Sequence, residues 1–198
     1  MKPIEIQNKL KESGLKIFSR FEFRRLVGAS PIAAQKLLER YTQKGVFARL
    51  KGGMYALEIS FPSSYLIANK LYKPSYISFE TALSYYRVIP EVVYSFTSAT
   101  TKTTREYGVK NMVFNYHKIM KKAFTGYKLI KLGGENILLA EKEKALADYL
   151  YYVFLHKKKL NDRLNLKGID RKKLLVFVSL FGKPSFIRWV EHDIRKTN

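Results

Sequence analysis

Glu141, Glu143, Lys144 and Asp148 form the densest acidic-plus-lysine group in the chain, the kind of group from which a metal-dependent nuclease is built. Holding Mg²⁺ against in-line displacement needs two or more convergent carboxylates, with one more from a neighbouring strand. No Asp precedes Asp148, and Glu80, Glu106 and Glu135 have no recognisable context. The spacings Glu141–Lys144 (i, i+3) and Lys144–Asp148 (i, i+4) are those of ordinary helix-surface pairs, and that is the expectation for them. His117, His156 and His192 are far apart, and the chain has no cysteine, which excludes zinc fingers, disulfide scaffolds and thiol catalysis. Gly133-Gly134 lacks the Gly-Lys-Ser/Thr ending of a phosphate loop. The hydroxyls of Ser98 to Thr104, beside Lys102 and Arg105, suit phosphate, but a polar loop between strands explains them more simply. No catalytic, cofactor-binding or metal-binding residue is assigned, and no enzyme is expected.

The residues best suited to chemistry of another kind are basic. The 198 residues carry 37 Lys plus Arg against 16 Asp plus Glu, a net charge of +21. With 46% hydrophobic and 14% aromatic residues, the chain can bury a core and is no disordered basic tail. A field this positive attracts polyanions, nucleic acid first among them. Residues 1–57 hold 12 basic and 4 acidic side chains, so this segment is per residue the more basic part. Lys157-Lys158-Lys159 and Arg171-Lys172-Lys173 read as solvated helix ends or loops. No apolar run is long enough to span a bilayer, and the start Met1-Lys2-Pro3-Ile4-Glu5 has no signal-peptide core. A cytoplasmic protein with no membrane partner is expected.

The elements that must position the basic residues are legible near the N-terminus. Residues 3–12 suggest a helix with Ile6 and Leu10 on one face, closed by Gly14. Ser19 and Glu22 make a capping box, and Phe18 and Phe23 occupy the positions of a hydrophobic staple across it. Phe23, Leu26 and Val27 give that helix its buried face, and Gly28 stops it. Ser30 and Pro31 start the next helix, with Ala34, Leu37, Leu38 and Tyr41 as an apolar stripe and Ile32, Lys36, Glu39, Arg40 and Gln43 opposite. Val46–Leu50, Lys51-Gly52-Gly53 and Met54–Leu57 then spell a β-hairpin with a basic, glycine-rich tip. Two helices joined by a tight turn and followed by a hairpin read as a winged helix-turn-helix. The candidate DNA contacts are Ser30, Gln35, Lys36 and Arg40 on the second helix of the pair, with Arg49 and Lys51 in the wing.

The rest reads as a larger mixed α/β domain. Expected are a helix from Pro62 to Leu71, a strand at Tyr76-Ile77, a helix capped by Ser78, and strands at Val92–Thr97 and Met112–Tyr116. A hairpin around Gly133-Gly134, a helix from Glu141 to about Leu155, and helices near 170–181 and 184–195 complete it. The fold class is α+β, with a DNA-binding domain at 1–60 and an α/β domain with C-terminal helices at 61–198.

Three phrases, Lys51-Gly52-Gly53-Met54-Tyr55-Ala56-Leu57, Tyr76 to Tyr86 (Tyr-Ile-Ser-Phe-Glu-Thr-Ala-Leu-Ser-Tyr-Tyr) and Glu143-Lys144-Ala145-Leu146-Ala147-Asp148, resemble in content, order and spacing those of the AbiEi family. These are antitoxins and transcriptional regulators of bacterial AbiE-type (type IV) toxin–antitoxin systems, and the resemblance covers roughly residues 15–155. It implies an N-terminal winged domain that binds and represses its own operon, and a C-terminal domain that contributes antitoxin activity. The functional partner it implies is a nucleotidyltransferase-like toxin that need not be held in a stable complex. The sequence is short for the family. Two other readings stay open: a nuclease-like enzyme, and a protein that neutralises a toxin by contact without specific DNA binding.

Overall fold

Pro3 opens α1 (Pro3–Glu12), whose Ile6 and Leu10 are both fully buried in the computed structural model of the chain, which describes residues 2–91 and 94–196. β1 (Ile17–Ser19) follows, too short for the sequence to show any alternation. The expected cap then forms: the Glu22 amide donates to Ser19 Oγ at 3.2 Å, and the Ser19 amide donates to Glu22 Oε2 at 2.7 Å. It starts α2 (Arg20–Val27), and Phe18 stacks on Phe23 across the start with centroids 5.8 Å apart. α3 (Pro31–Gln43), β2 (Phe47–Lys51) and β3 (Met54–Leu57) come next. The hairpin is antiparallel with an irregularity between Arg49 and Lys51, and β1 pairs with the other side of β3, giving the order β1-β3-β2. Phe47 sits at the centre of the core, meeting Phe18, Phe23 and Tyr41 edge-on at 5.3, 5.6 and 5.9 Å. α4 (Ser64–Leu71) packs on β2 and completes a first compact unit, residues 1–71.

The second unit, residues 72–198, is built on a six-stranded mixed sheet. Its elements are β4 (Ser75–Ile77), α5 (Phe79–Tyr85), β5 (Ser95–Thr100), β6 (Arg105–Val109), β7 (Met112–Lys118), β8 (Tyr127–Leu132), β9 (Glu135–Ala140), α6 (Lys142–Phe154), α7 (Arg171–Ser179) and α8 (Pro184–Lys196). The strand order is β6-β7-β5-β4-β9-β8; β5–β7 and β4–β9 are parallel, the other pairs antiparallel. The helices and two sheets accord with the expected α+β class. The hairpin at Gly133-Gly134 forms as β8–β9. Val92 and Val93, assigned to a strand from sequence, lie outside the described residues, and β5 begins at Ser95.

Two expectations are corrected here. Three of the seven residues of the Ser98–Thr104 tract are strand rather than loop: Ser98 and Thr100 are buried in β5, and Thr100 Oγ1 donates to the Pro74 carbonyl at 2.7 Å. Thr100 thus serves the backbone just ahead of β4, while the neighbouring Thr97 Oγ1 donates to the Ser78 carbonyl in the β4–α5 turn at 2.9 Å. The second correction concerns α6. Lys144 and Asp148 are not a surface pair; both are fully buried, with Nζ 2.5 Å from Oδ1. Asp148 Oδ2 accepts from Tyr76 Oη at 2.9 Å and from Ser78 Oγ at 2.7 Å. Ser78 therefore stands at the N-cap of α5 without capping it through its side chain. Burial pushes the Asp148 carboxyl upward against the pull of Lys144, Ser78 and Tyr76. An i, i+4 spacing makes two side chains meet, but either helix face can carry the meeting. Glu141, expected beside Lys144, pairs with Lys173 at 2.6 Å and Lys128 at 2.9 Å, and Glu143 lies 3.3 Å from the same Lys173.

His117 on β7 packs edge-on to Phe79 at 4.9 Å and against Tyr152 at 5.0 Å, and its Nε2 has no hydrogen-bond partner among the described residues. Burial pushes the imidazole down to about 4, with positive Lys158 and Lys157 adding to the effect. The unfolded chain takes up a proton near pH ~6.5 that the folded form refuses. Stability contributed by the neutral ring is thus complete above that value and is lost as pH falls toward 4, by about 3 kcal/mol in all. Urea midpoints between pH 4 and 7.5 should fall more steeply for the native chain than for His117→Phe. Equal slopes would show that the ring is freely protonated in the fold.

Candidate nucleic-acid interface

The face that α3 presents follows from how it starts. Gly28 ends α2 in the left-handed conformation (φ +65°), which a glycine adopts without the steric cost other residues bear. Ser30 Oγ then accepts from the Ala33 amide at 3.3 Å, with Pro31 at the first helical position. Used as an acceptor, that hydroxyl still has its proton to donate to an anion. From this start α3 buries Ala34, Leu38 and Tyr41 and leaves Ile32, Gln35, Lys36, Glu39, Arg40 and Gln43 exposed. Ile32 is 71% exposed, a large apolar side chain on an otherwise polar face.

Of the six sequence-assigned residues, Gln35, Lys36 and Arg40 therefore stand exposed along α3, and Ser30 is exposed at its N-cap. Gln35 Nε2 donates to Glu39 Oε1 at 2.9 Å, and the Arg40 guanidinium lies 4.9 Å from the Tyr41 ring centroid with Nη2 donating to Tyr41 Oη at 3.2 Å. Both contacts hold long side chains in place and leave donors free for a ligand. On the hairpin, Arg49 is exposed and lies opposite Tyr55. Lys51 is half-buried, and its ammonium donates to the Leu71 carbonyl at the end of α4. Its charge is thus partly engaged within the unit.

The sequence reading missed the exposed side of α2. Arg20, Phe21 and Arg24 join Pro31, Ala34 and Gln35 around a cavity of about 230 Å³ between α2 and α3. Phe21 is 57% exposed, with the guanidinium of Arg24 5.4 Å and that of Arg25 5.8 Å from its ring centroid. The Arg20 amide donates to the Gly53 carbonyl at 3.1 Å, so the hairpin turn is tied to the start of α2. Arg20 and Arg24 stand i, i+4 and share one side of α2, where they flank buried Val27, seven and three positions further on.

Residues 1–71 contain 13 basic and 5 acidic side chains. Two of the acids, Glu5 and Glu22, are spent on helix starts, where they accept from the amides of Lys2 and Ser19. Elsewhere the carboxylates near α6 converge on lysines, Glu141 and Glu143 on the single Lys173. Among the described residues no helix is long and apolar enough to cross a membrane. Comparison with protein-family models finds no match, and comparison with curated proteins finds none.

Proposed function

We propose that residues 1–71 act as a winged helix-turn-helix, with α3 in the major groove of duplex DNA and the β2–β3 hairpin along the phosphate backbone. The observation that carries this reading is the face of α3, where Ile32, Gln35, Lys36 and Arg40 stand exposed together. An exposed isoleucine suits a thymine methyl, the glutamine amide an adenine edge, and the two cations guanine or phosphate. Arg49 and Lys51, with Arg20 and Arg24, supply positive charge for the strands beside the groove.

The resemblance to AbiEi proteins extends the proposal. The chain is a cytoplasmic repressor of its own toxin–antitoxin operon and counteracts a nucleotidyltransferase-like toxin. In support, two of the three phrases that carry the resemblance meet in space: Tyr76 and Ser78 of one donate to Asp148 of the other. The pairing makes them parts of one structural device rather than separate coincidences.

Titration of the full chain with duplexes from its own upstream region, over a range of salt, tests the reading. Six phosphate contacts give a log–log slope of about −5. Gln35→Ala should cost about 1–3 kcal/mol on the matching site and relax preference at one base pair. Arg49→Ala should weaken binding on every sequence alike and lower the slope by about one. Salt-independent association, or none with any such duplex, overturns DNA binding. Unrelieved toxicity on co-expression with a neighbouring nucleotidyltransferase-like protein overturns the antitoxin role.

A further inference from the structure

Beyond Phe154 the chain turns back on the end of α6, with the amides of Lys157 and Lys158 donating to the Tyr152 carbonyl at 2.9 and 3.3 Å. This reversal sets the lysine run against α8 and helps enclose a cavity of about 580 Å³ lined by Phe154, His156, Lys157, Lys158, Lys159 and Trp189, among others. The volume lies in the range usual for small-molecule sites, about 300–1,000 Å³. Its aromatic wall is held firmly: the Trp189 indole is 5.8 Å from Phe154 and lies nearly parallel to Phe186, at 21° and 6.3 Å.

The cations are not equivalent. Lys158 is engaged by Glu80 at 2.6 Å. Lys157 and Lys159 are exposed, and neither has a carboxylate partner among the described residues. Lysines after a helix C-terminus are favourable in their own right through the helix dipole. That accounts for their charge but not for their place on the rim of an aromatic-walled cavity. The Lys157 ammonium lies 5.6 Å from the Tyr152 ring centroid, a contact that leaves its charge unneutralised. With Lys159 and the Trp189 indole it lines one cavity, a set that fits a ligand with a flat ring and a phosphate of charge about −2.

We propose that this cavity binds a nucleoside monophosphate, its base against Trp189 and its phosphate between Lys157 and Lys159. The same group comes from a free nucleotide or from the phosphorylated end of a strand. The site lies wholly within residues 72–198 and does not depend on the DNA-binding reading of α3.

Trp189 is the single tryptophan, so its fluorescence in the full-length protein reports occupancy of the site directly. Titration with AMP and UMP should give saturable quenching, with adenosine or inorganic phosphate alone at least about ten-fold weaker. The double variant Lys157→Ala, Lys159→Ala should weaken AMP by about ten-fold or more, because each lost lysine removes a charge-assisted contact. Lys121→Ala with Lys122→Ala, an equally exposed pair, should leave the affinity unchanged and so exclude a general charge effect. A 5′-phosphorylated dinucleotide that binds as well as AMP identifies a strand end, and one that binds less well identifies a free nucleotide. No saturable quenching by either monophosphate, phosphate alone matching AMP, an unchanged lysine double variant or an affected control pair would each overturn the site.

Discussion

Lys144→Met lowers the stability of the 72–198 unit by about 3–5 kcal/mol, because it strands the Asp148 carboxylate where water cannot reach it. Both members of the pair are fully buried, and the Asp148 oxygens are already committed to Lys144, Tyr76 and Ser78. The native arrangement offsets the desolvation of the carboxylate with one cation and two hydroxyl donors. Remove the cation and two neutral hydroxyls remain against a full charge. Adding Asp148→Asn to Lys144→Met should recover much of the loss, since a neutral amide oxygen still accepts from Tyr76 and Ser78 and no charge is buried. Urea unfolding followed through Trp189 reads the relevant unit for all of these chains. A cost below about 1 kcal/mol for Lys144→Met would place the pair in the class of solvent-screened surface contacts.

Gly126→Ala is expected to cost about 2–5 kcal/mol in the same assay, from positive-φ strain and overpacking together. Gly126 has φ +74°, and a Cβ there would lie 2.5 Å from Phe177 Cε1, 2.8 Å from Phe177 Cζ and 3.1 Å from Lys144 Cγ. Its carbonyl also accepts from the Glu141 amide at 2.8 Å, just ahead of α6. The collision therefore falls on α7 and on the buried lysine at once. Phe177→Leu in the Gly126→Ala background should return the steric part and leave the backbone part. A neutral Gly126→Ala would mean that α7 can withdraw from this approach without loss.

What the sequence made legible was local. The Ser19–Glu22 cap, the Phe18–Phe23 staple, the Ser30-Pro31 start and the Gly133-Gly134 turn each depend on residues within about five positions of one another, and all are present. What escaped depends on distant partners. Asp148 meets Ser78 and Tyr76 across 70 and 72 positions, and no periodicity along α6 tells which face that meeting requires. Ser78 has the residue type and place of a helix cap, but a buried carboxylate claims its hydroxyl. β1 is three residues long, and β6 is exposed along most of its length, so neither has the alternation that marks a strand. At the candidate interface, Gln35, Lys36 and Arg40 were legible because they lie opposite an apolar stripe. Arg20, Phe21 and Arg24 were less legible because Arg20 and Arg24 border the apolar stripe of α2 rather than lie opposite it.

The strand order leaves β6 and β8 at the two rims of the larger sheet, each with backbone groups that a second chain could pair with. β8 carries Lys131 and the Glu141-paired Lys128 around a Leu129 that is 64% exposed, and β6 opens with exposed Arg105 and Glu106. Cations on both rims make edge-to-edge stacking of copies work against Coulomb repulsion and the desolvation of lysine. A part of the protein's positive charge therefore works against self-templated aggregation, independently of any ligand.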